Sequence, residues 1–297
     1  MDKVVECVPN FSEGRDKDVI EKIAQSVRDV SGVKLLDVEG DAAHNRCVLT
    51  FVGAPGPVGD AAFAGVARAA ELIDLTKHMG EHPRMGATDV VPFVPVHGVT
   101  MEDCVALARA TGGRIGEELN IPVFLYEEAA TRPERRNLAN VRKGQFEALR
   151  DAIGRDPARK PDFGPEKIHP TAGATAVGAR EFLIAFNVNL DSNDLPLAKA
   201  IANKIREAKG GLPKVKAMGF EIAEKGFVQI SMNLTNYTVT PIRAAFDAIK
   251  TEAEKAGVEI LNSELIGLAP RAALGPGDVE YMKIKPFNSK MIVENNL

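Results

Sequence analysis

A chain of 297 residues is long enough for two domains of ordinary size, and its 45% hydrophobic and 26% charged residues exclude collagen, a coiled coil or a disordered tail. The 37 Lys and Arg against 41 Asp and Glu leave a net charge of −4, and only 5% of residues are aromatic, so nothing points to a nucleic-acid partner. Cys7, Cys47 and Cys104 are odd in number and lack C-x-x-C spacing, which reads as buried reduced thiols. Glu6 interrupts the N-terminus before any signal-like apolar run develops, and no later run approaches the roughly 18 residues of a membrane span. The expectation is a cytoplasmic protein.

In chain order the pattern strand, helix, strand, strand, helix, strand occurs twice. The first copy has a strand at Val4 to Val8 and a helix from about Lys17 to Val30 with Val19, Ile20, Ile23 and Val27 on one face. Strands Val33 to Glu39 and Arg46 to Gly53 follow, then an Ala-rich helix from Gly59 to Ile73 and the strand Val90 to Val96. A helix near Met101 to Leu119, a strand Ile121 to Tyr126 and a helical stretch near Val141 to Ile153 extend this half. The second copy runs Phe182 to Leu190, a helix to about Ala208, strands Val215 to Ala223 and Phe227 to Leu234, a helix from Pro241 to Ala256, and Val258 to Leu268. This is the ferredoxin-like order. The predicted fold is α+β, with two ferredoxin-like (βαββαβ) subdomains, 1–180 and 181–297. Pro157, Pro161, Pro165 and Pro170, followed by Gly173-Ala174-Thr175, read as the linker.

Period 2 assigns alternate strand residues to opposite sheet faces. Val228, Ile230, Met232 and Leu234 share one face, and Phe227, Gln229, Ser231 and Asn233 the other; Ile184, Phe186, Val188 and Leu190 oppose Asn187 and Asn189. Leu36 and Val38 oppose Asp37 and Glu39, and Val5 and Cys7 oppose Glu6 and Asn10. With helices on one face only, each half keeps a polar face. Plain solvent exposure accounts for such faces, but short amides suit a fixed hydrogen-bonding lining better than the usual Lys, Glu and Thr. Two such faces can wall one cleft.

The run from His78 to Asp89 gathers two His, two Gly, an Arg and two carboxylates, the composition of a functional loop. His78 and His82 have zinc-like spacing, but Pro83 and Gly80 break the helix that spacing needs, so no metal is expected. His82 is a candidate general acid and base, the alternative being a loop histidine that merely bonds a neighbour. Arg46, Arg84 and Lys167 are candidates to attract an anion, and Gly173 lies where backbone would approach a ligand. Neither glycine-rich stretch, Gly53 to Gly59 or Gly173 to Gly178, has a nucleotide-binding pattern.

Val5-Glu6-Cys7-Val8-Pro9-Asn10-Phe11-Ser12-Glu13-Gly14, Asn45-Arg46, Gly80-Glu81-His82-Pro83-Arg84-Met85-Gly86-Ala87, Asp162-Phe163-Gly164-Pro165 and Phe182 to Asn187 together resemble glutamate formimidoyltransferases over essentially the whole chain. The resemblance implies two sheets facing across a folate tunnel, a homodimer, and a stand-alone transferase without a cyclodeaminase domain. The family's catalytic histidine falls on His82, its acidic partner on Glu39, and its folate-contacting segment on Phe163, Gly164, Pro165, Lys167, His169, Thr171 and Ala172, next to Gly173. The implied reaction moves a formimidoyl group between N-formimidoyl-L-glutamate and tetrahydrofolate as cosubstrate, without a metal. Asn10, Asn187, Asn189 and Gln229 would hold pterin or amidine, and Arg46 or Arg84 a glutamate carboxylate. Formyl transfer or salvage on 5-formyltetrahydrofolate, and a non-catalytic folate sensor, are the competing expectations.

Overall fold

The computed structural model describes residues 3–297 and divides into two units, Met1–Arg180 and Glu181–Leu297. The first unit begins with β1 (Val4–Cys7) and β2 (Asn10–Phe11), two pieces of one extended run. Helix α1 (Lys17–Arg28) starts where the Asp16 carboxylate accepts the backbone N–H of Asp18 and Val19 at 2.9 and 3.1 Å, a cap worth about 1 kcal/mol. It buries Ile20, Ile23, Ala24 and Val27, the face that its periodicity marks. Strands β3 (Val33–Asp41) and β4 (Arg46–Gly53), helix α2 (Pro55–Leu72) and β5 (Thr88–His97) follow. Strands β5, β1 with β2, β4 and β3 lie side by side, all antiparallel. Helix α3 (Met101–Glu118) leads to β6 (Val123–Glu127), and β7 (Thr175–Ala179) pairs in parallel with both β5 and β6.

One face of this sheet packs on α1, α2 and α3 through Val5, Cys7, Leu49, Phe51, Val91 and Phe93. The three cysteines are buried, and among the described residues none of them forms a disulfide. The other face is not the open polar surface that the alternation predicts. Over β5, β7 and β6 it carries a second apolar cluster, Met85, Val90, Phe124, Tyr126, Ala174 and Ala176, capped by Val141 and Leu149 from α4 (Leu138–Val141) and α5 (Gln145–Ala152). Only the β3, β4 and β1–β2 portion keeps its polar row, with Asp37 opposite Thr50, Glu39 opposite Val48 and Asp41 opposite Arg46. A register shift between Leu35 and Asp37 corrects one more assignment: Leu35 and Val38, not Leu36, pack on the helix-side core.

The predicted linker is part of the first unit. Asp162 accepts the backbone N–H of Leu125 (2.8 Å) and the Nη1 of Arg135 (2.5 Å), while Arg135 Nη2 donates to the carbonyl of Lys160 (2.5 Å). Both side chains of this pair are buried, which clasps residues 157–165 against β6. The Gly-rich end, Thr175–Ala179, is an interior strand rather than a tether.

In the second unit β8 (Ile184–Leu190), α6 (Leu195–Ile205), β9 (Val215–Ile222), β10 (Phe227–Leu234), α7 (Ile242–Lys255) and β11 (Ile260–Ile266) form a four-stranded antiparallel sheet in the order β11-β8-β10-β9. Phe186, Val188, Ile230 and Met232 are buried, as are Ile201, Ile205, Phe246 and Ile249 from the two helices. Asn187, Asn189, Gln229, Ser231, Asn262 and Glu264 share the opposite face by register. Among the described residues no helix is long and apolar enough to cross a membrane.

Candidate active site

The loop between α2 and β5 is held on two sides. On one side Asn45, in a left-handed conformation at φ 48°, accepts the N–H of Gly14 (2.9 Å) and donates to the carbonyl of Met79 (3.0 Å). His78 Nε2 donates to the carbonyl of Asn45 (2.8 Å), and its Nδ1 accepts from Arg84 Nε (3.3 Å). That arrangement fixes the orientation of the His78 ring. Gly80 is required here, because a Cβ would stand 2.3 Å from the His44 carbonyl oxygen. On the other side the turn His169 to Gly173 is closed by reciprocal backbone bonds of 3.2 Å and by His169 Nδ1, which accepts the N–H of Ala172 at 3.0 Å. Thr171, Ala172 and Ala174 bond the backbone of Leu75, Ala87 and Met85 at 2.8, 2.9 and 2.9 Å, and Gly173 bridges Gly86.

His82 rises from this frame half-buried. Its backbone N–H reaches the His44 carbonyl at 3.4 Å, and its imidazole makes no hydrogen bond among the described residues. Its pKa is pulled down to about 3, first by burial and then by the positive fields of Arg46 and Arg142, with His44 and His78 adding smaller contributions. The ring is therefore neutral at pH 7 and, in the empty site, a weak base. Arg46, on β4, donates from Nη1 to Asn10 Oδ1 at 2.9 Å, which unites two of the predicted residues. Glu39, on β3, has its pKa raised by partial burial and by Asp37, with Arg46 acting in the opposite sense. No hydrogen bond or ion pair joins Glu39 to His82 or to Arg46, so Glu39 acts on this cluster as a charge rather than as a fixed partner.

Several predicted residues have other work. Arg84 is not free for a ligand: its Nη atoms grip both oxygens of Glu147 at 2.7 and 2.9 Å, and it also bonds Gln145 (3.2 Å) and His78. Phe163 packs on the helix-side core, under Gly112, where a Cβ would stand 3.3 Å from its ring. Gly164 sits at φ 79° against Gly116 and the Ile121 carbonyl, so Phe163-Gly164-Pro165 is explained by close packing against α3. Lys167 is exposed. His169, Thr171, Ala172 and Gly173 do adjoin the His82 loop, through their backbone.

Arg142 escaped the sequence reading. It follows α4 in a stretch that looks solvated, and its carboxylate partner, Asp89, lies 53 residues away at the start of β5. Asp89 also accepts the N–H of Met85 at 2.9 Å, so one buried carboxylate ties the loop to Arg142.

In the second unit Gln229 Nε2 donates to Asn189 Oδ1 (2.8 Å), and Asn189 Nδ2 to Asn262 Oδ1 (2.7 Å). Glu264 accepts from both Asn189 and Gln229 at 3.3 Å. Asn262 and Glu264 were not singled out from sequence, although the alternation of β11 carries the signal. Met218 and Phe220, on the same face by register, are exposed. Among the described residues no group of three or more His, Cys, Asp or Glu is placed to hold a metal.

A half-buried imidazole without a hydrogen bond among the described residues, in the field of two guanidinium groups, is chemically able to exchange a proton with a bound molecule. The chain belongs to the formiminotransferase family: residues 4–180 match its domain's N-terminal subdomain and residues 185–295 the formiminotransferase domain itself. It is 48% identical to a glutamate formimidoyltransferase of Streptococcus pyogenes serotype M1, covering 100% of this chain and 99% of that one. It is 50% identical to one of Thermoplasma acidophilum, covering 99% and 97%. A formimidoyltransferase-cyclodeaminase of Mus musculus is 45% identical, covering 92% of this chain and 51% of its own length.

Proposed function

We propose that this chain is a transferase that moves a formimidoyl group between N-formimidoyl-L-glutamate and tetrahydrofolate, giving 5-formimidoyltetrahydrofolate and glutamate, with His82 as general acid and base. Full-length identity near half to two glutamate formimidoyltransferases supports the reaction. The observation that carries the assignment of His82 is its neutral imidazole, without a hydrogen bond among the described residues and carried by a loop that Asn45, His78 and Arg84 pin in place.

N5 of tetrahydrofolate attacks the amidine carbon, forming a C–N bond and a tetrahedral adduct. The attacking nitrogen must lose a proton, which the neutral His82 ring accepts. The imidazolium returns that proton to the glutamate nitrogen as its C–N bond breaks, so the ring ends as it began. An amidinium is already electrophilic, so this route calls for no metal. Asn10 and Arg46 on the polar strip of the first unit, and Asn187, Asn189 and Gln229 on the amide-rich face of the second, supply donors and acceptors for the amidine and the pterin.

The strand orders β5, β1–β2, β4, β3 and β11, β8, β10, β9, each built from strand, helix, strand, strand, helix, strand, support reading both units as ferredoxin-like subdomains. A cytoplasmic homodimer comes with the family resemblance and belongs to the same proposal. The test is incubation with N-formimidoyl-L-glutamate and tetrahydrofolate, following 5-formimidoyltetrahydrofolate. His82→Ala should bind folate yet lose roughly 100-fold or more in turnover. Unchanged turnover in that variant would remove His82 from the mechanism, and folate binding without transfer would favour a sensor.

A further inference from the structure

The arginines of the first unit differ in how far their donors are used. A guanidinium offers five N–H donors. Arg84 places its donors on His78, Gln145 and both oxygens of Glu147, and Arg135 on Asp162, Lys160 and Ala158. Arg46 makes one side-chain hydrogen bond, to Asn10, and Arg142 one, to Asp89. The Nε of each is buried without a partner. The two charges also oppose one another, for Arg142 is among the groups that lower the pKa of Arg46, after burial itself. Half-filled, mutually repelling guanidinium groups are costly in a folded protein and make sense where a ligand completes them.

The neighbouring carboxylates do not supply that completion. Asp41 is filled by the N–H of Ala43 and His44 and by His44 Nδ1, and Asp89 by Met85 and Arg142. Glu39 and Asp37 bond neither arginine.

We propose that Arg46 and Arg142 together receive the α-carboxylate of the glutamyl substrate beside His82. The inference rests on the function proposed above. The α-carboxylate lies two bonds from the nitrogen that leaves, so a carboxylate in this cradle brings that nitrogen to His82. Burial is the first cause of the ring's low pKa, about 3, and the fields of the two arginines come after it; a carboxylate held between them opposes those fields and so raises the affinity of the ring for a proton. The groups whose fields reach the ring are Arg46 on β4 and Arg142 after α4, with smaller contributions from His44 in the β3–β4 turn and His78 in its own loop; both arginines have an Nε buried without a partner among the described residues. Proton transfer is thereby tied to an occupied donor site.

Two measurements test this. Nitrogen-labelled histidine in the intact enzyme, with the His82 signal assigned by its loss in His82→Gln, should titrate at least one pH unit higher with saturating glutamate than without. The comparison needs no change at the arginines. Arg142→Lys, and Arg142→Met combined with Asp89→Asn so that no buried carboxylate is stranded, should raise KM for N-formimidoyl-L-glutamate tenfold or more while KM for tetrahydrofolate stays within twofold. In the double variant the glutamate-induced shift should vanish. A wild-type enzyme that transfers the group but shows no such shift, or Arg142 variants that keep the donor KM, would overturn the cradle and leave the reaction standing. Absence of any transfer by the wild type would overturn the reaction itself.

Discussion

Gly80→Ala perturbs the position of His82 without touching it. The new Cβ would lie 2.3 Å from the His44 carbonyl oxygen and 2.7 Å from Asn45 Cβ, whereas real Cβ contacts essentially never fall under 3.0 Å. Backbone oxygen cannot swing aside as a side-chain end can, so the loop must lift by at least about 0.7 Å from the His44–Asn45 turn. That lift strains the two shortest bonds that pin the loop there, Asn45 Nδ2 to the Met79 carbonyl and His78 Nε2 to the Asn45 carbonyl. At about 1 kcal/mol each, the expected loss of stability is about 2 kcal/mol, or roughly 4–8 °C in Tm. The kinetic cost should be larger in proportion, because a misplacement near 1 Å at a catalytic group costs on the order of 100-fold. Thermal unfolding and steady-state transfer kinetics on one preparation separate the two effects. Gly56→Ala is the control, for Gly56 has an ordinary φ and nothing within 4 Å of its Cβ position, and it should be neutral or slightly stabilising. Wild-type kcat in Gly80→Ala would refute the idea that this contact sets the ring.

Glu6 is pushed up to about 7 by burial, with Arg180 pulling it down. The native state thus holds this proton more tightly than the unfolded chain, and stability falls as pH rises from about 4.5 to 7. Glu6→Gln should match the wild type near pH 4 and exceed it by roughly 1–3 kcal/mol at pH 8 in urea unfolding; equal stability at pH 8 would count against a buried, strained carboxylate. His82 has the opposite sign, since its folded pKa is depressed: its contribution is full above pH 6.5 and is lost as pH falls towards 3. His82→Gln should flatten the fall of Tm between pH 7 and pH 4, and an unchanged slope would mean the ring titrates normally. Arg135→Met strands the buried Asp162 carboxylate and should cost about 3–5 kcal/mol in urea unfolding; a loss under about 1 kcal/mol would show that the clasp on residues 157–165 carries little.

The strands and helices were legible because their apolar residues repeat at the right period. In the second unit β10 matches its expected bounds, and Val228, Ile230, Met232 and Leu234 on its apolar face are all buried. Two features defeated that reading. A bulge moves one residue out of step, and alternation cannot announce where, so Leu36 was placed on a face that Leu35 occupies. Composition misled at residues 157–179, where Pro and Gly suggest a tether. There the glycines answer close approaches instead: Gly164 to the Ile121 carbonyl, Gly173 to the Met85 carbonyl and Gly178 to Tyr126. The apolar cap of α4 and α5 was hidden for a related reason. Its short helices are broken by Gly144 and Gln145 at positive φ, and its contacts reach across more than 50 residues of chain.

The candidate site was legible in type and not in assignment. Arg46, Arg84 and Arg142 look alike in sequence, and what separates them is how many of their donors the fold has already filled. The same distinction runs through the His82 loop, whose polar residues read as a cluster of reactive groups. His78, Arg84 and Asp89 are consumed in holding the loop, and Gly80 and Gly86 let it lie against the His44 and Ala174 carbonyls. One ring is left without a bond. A loop that must hold an imidazole to within a fraction of an ångström while leaving both its nitrogens available needs a supporting shell of this kind. The density of polar residues around His82 is therefore a measure of how firmly that single group is positioned.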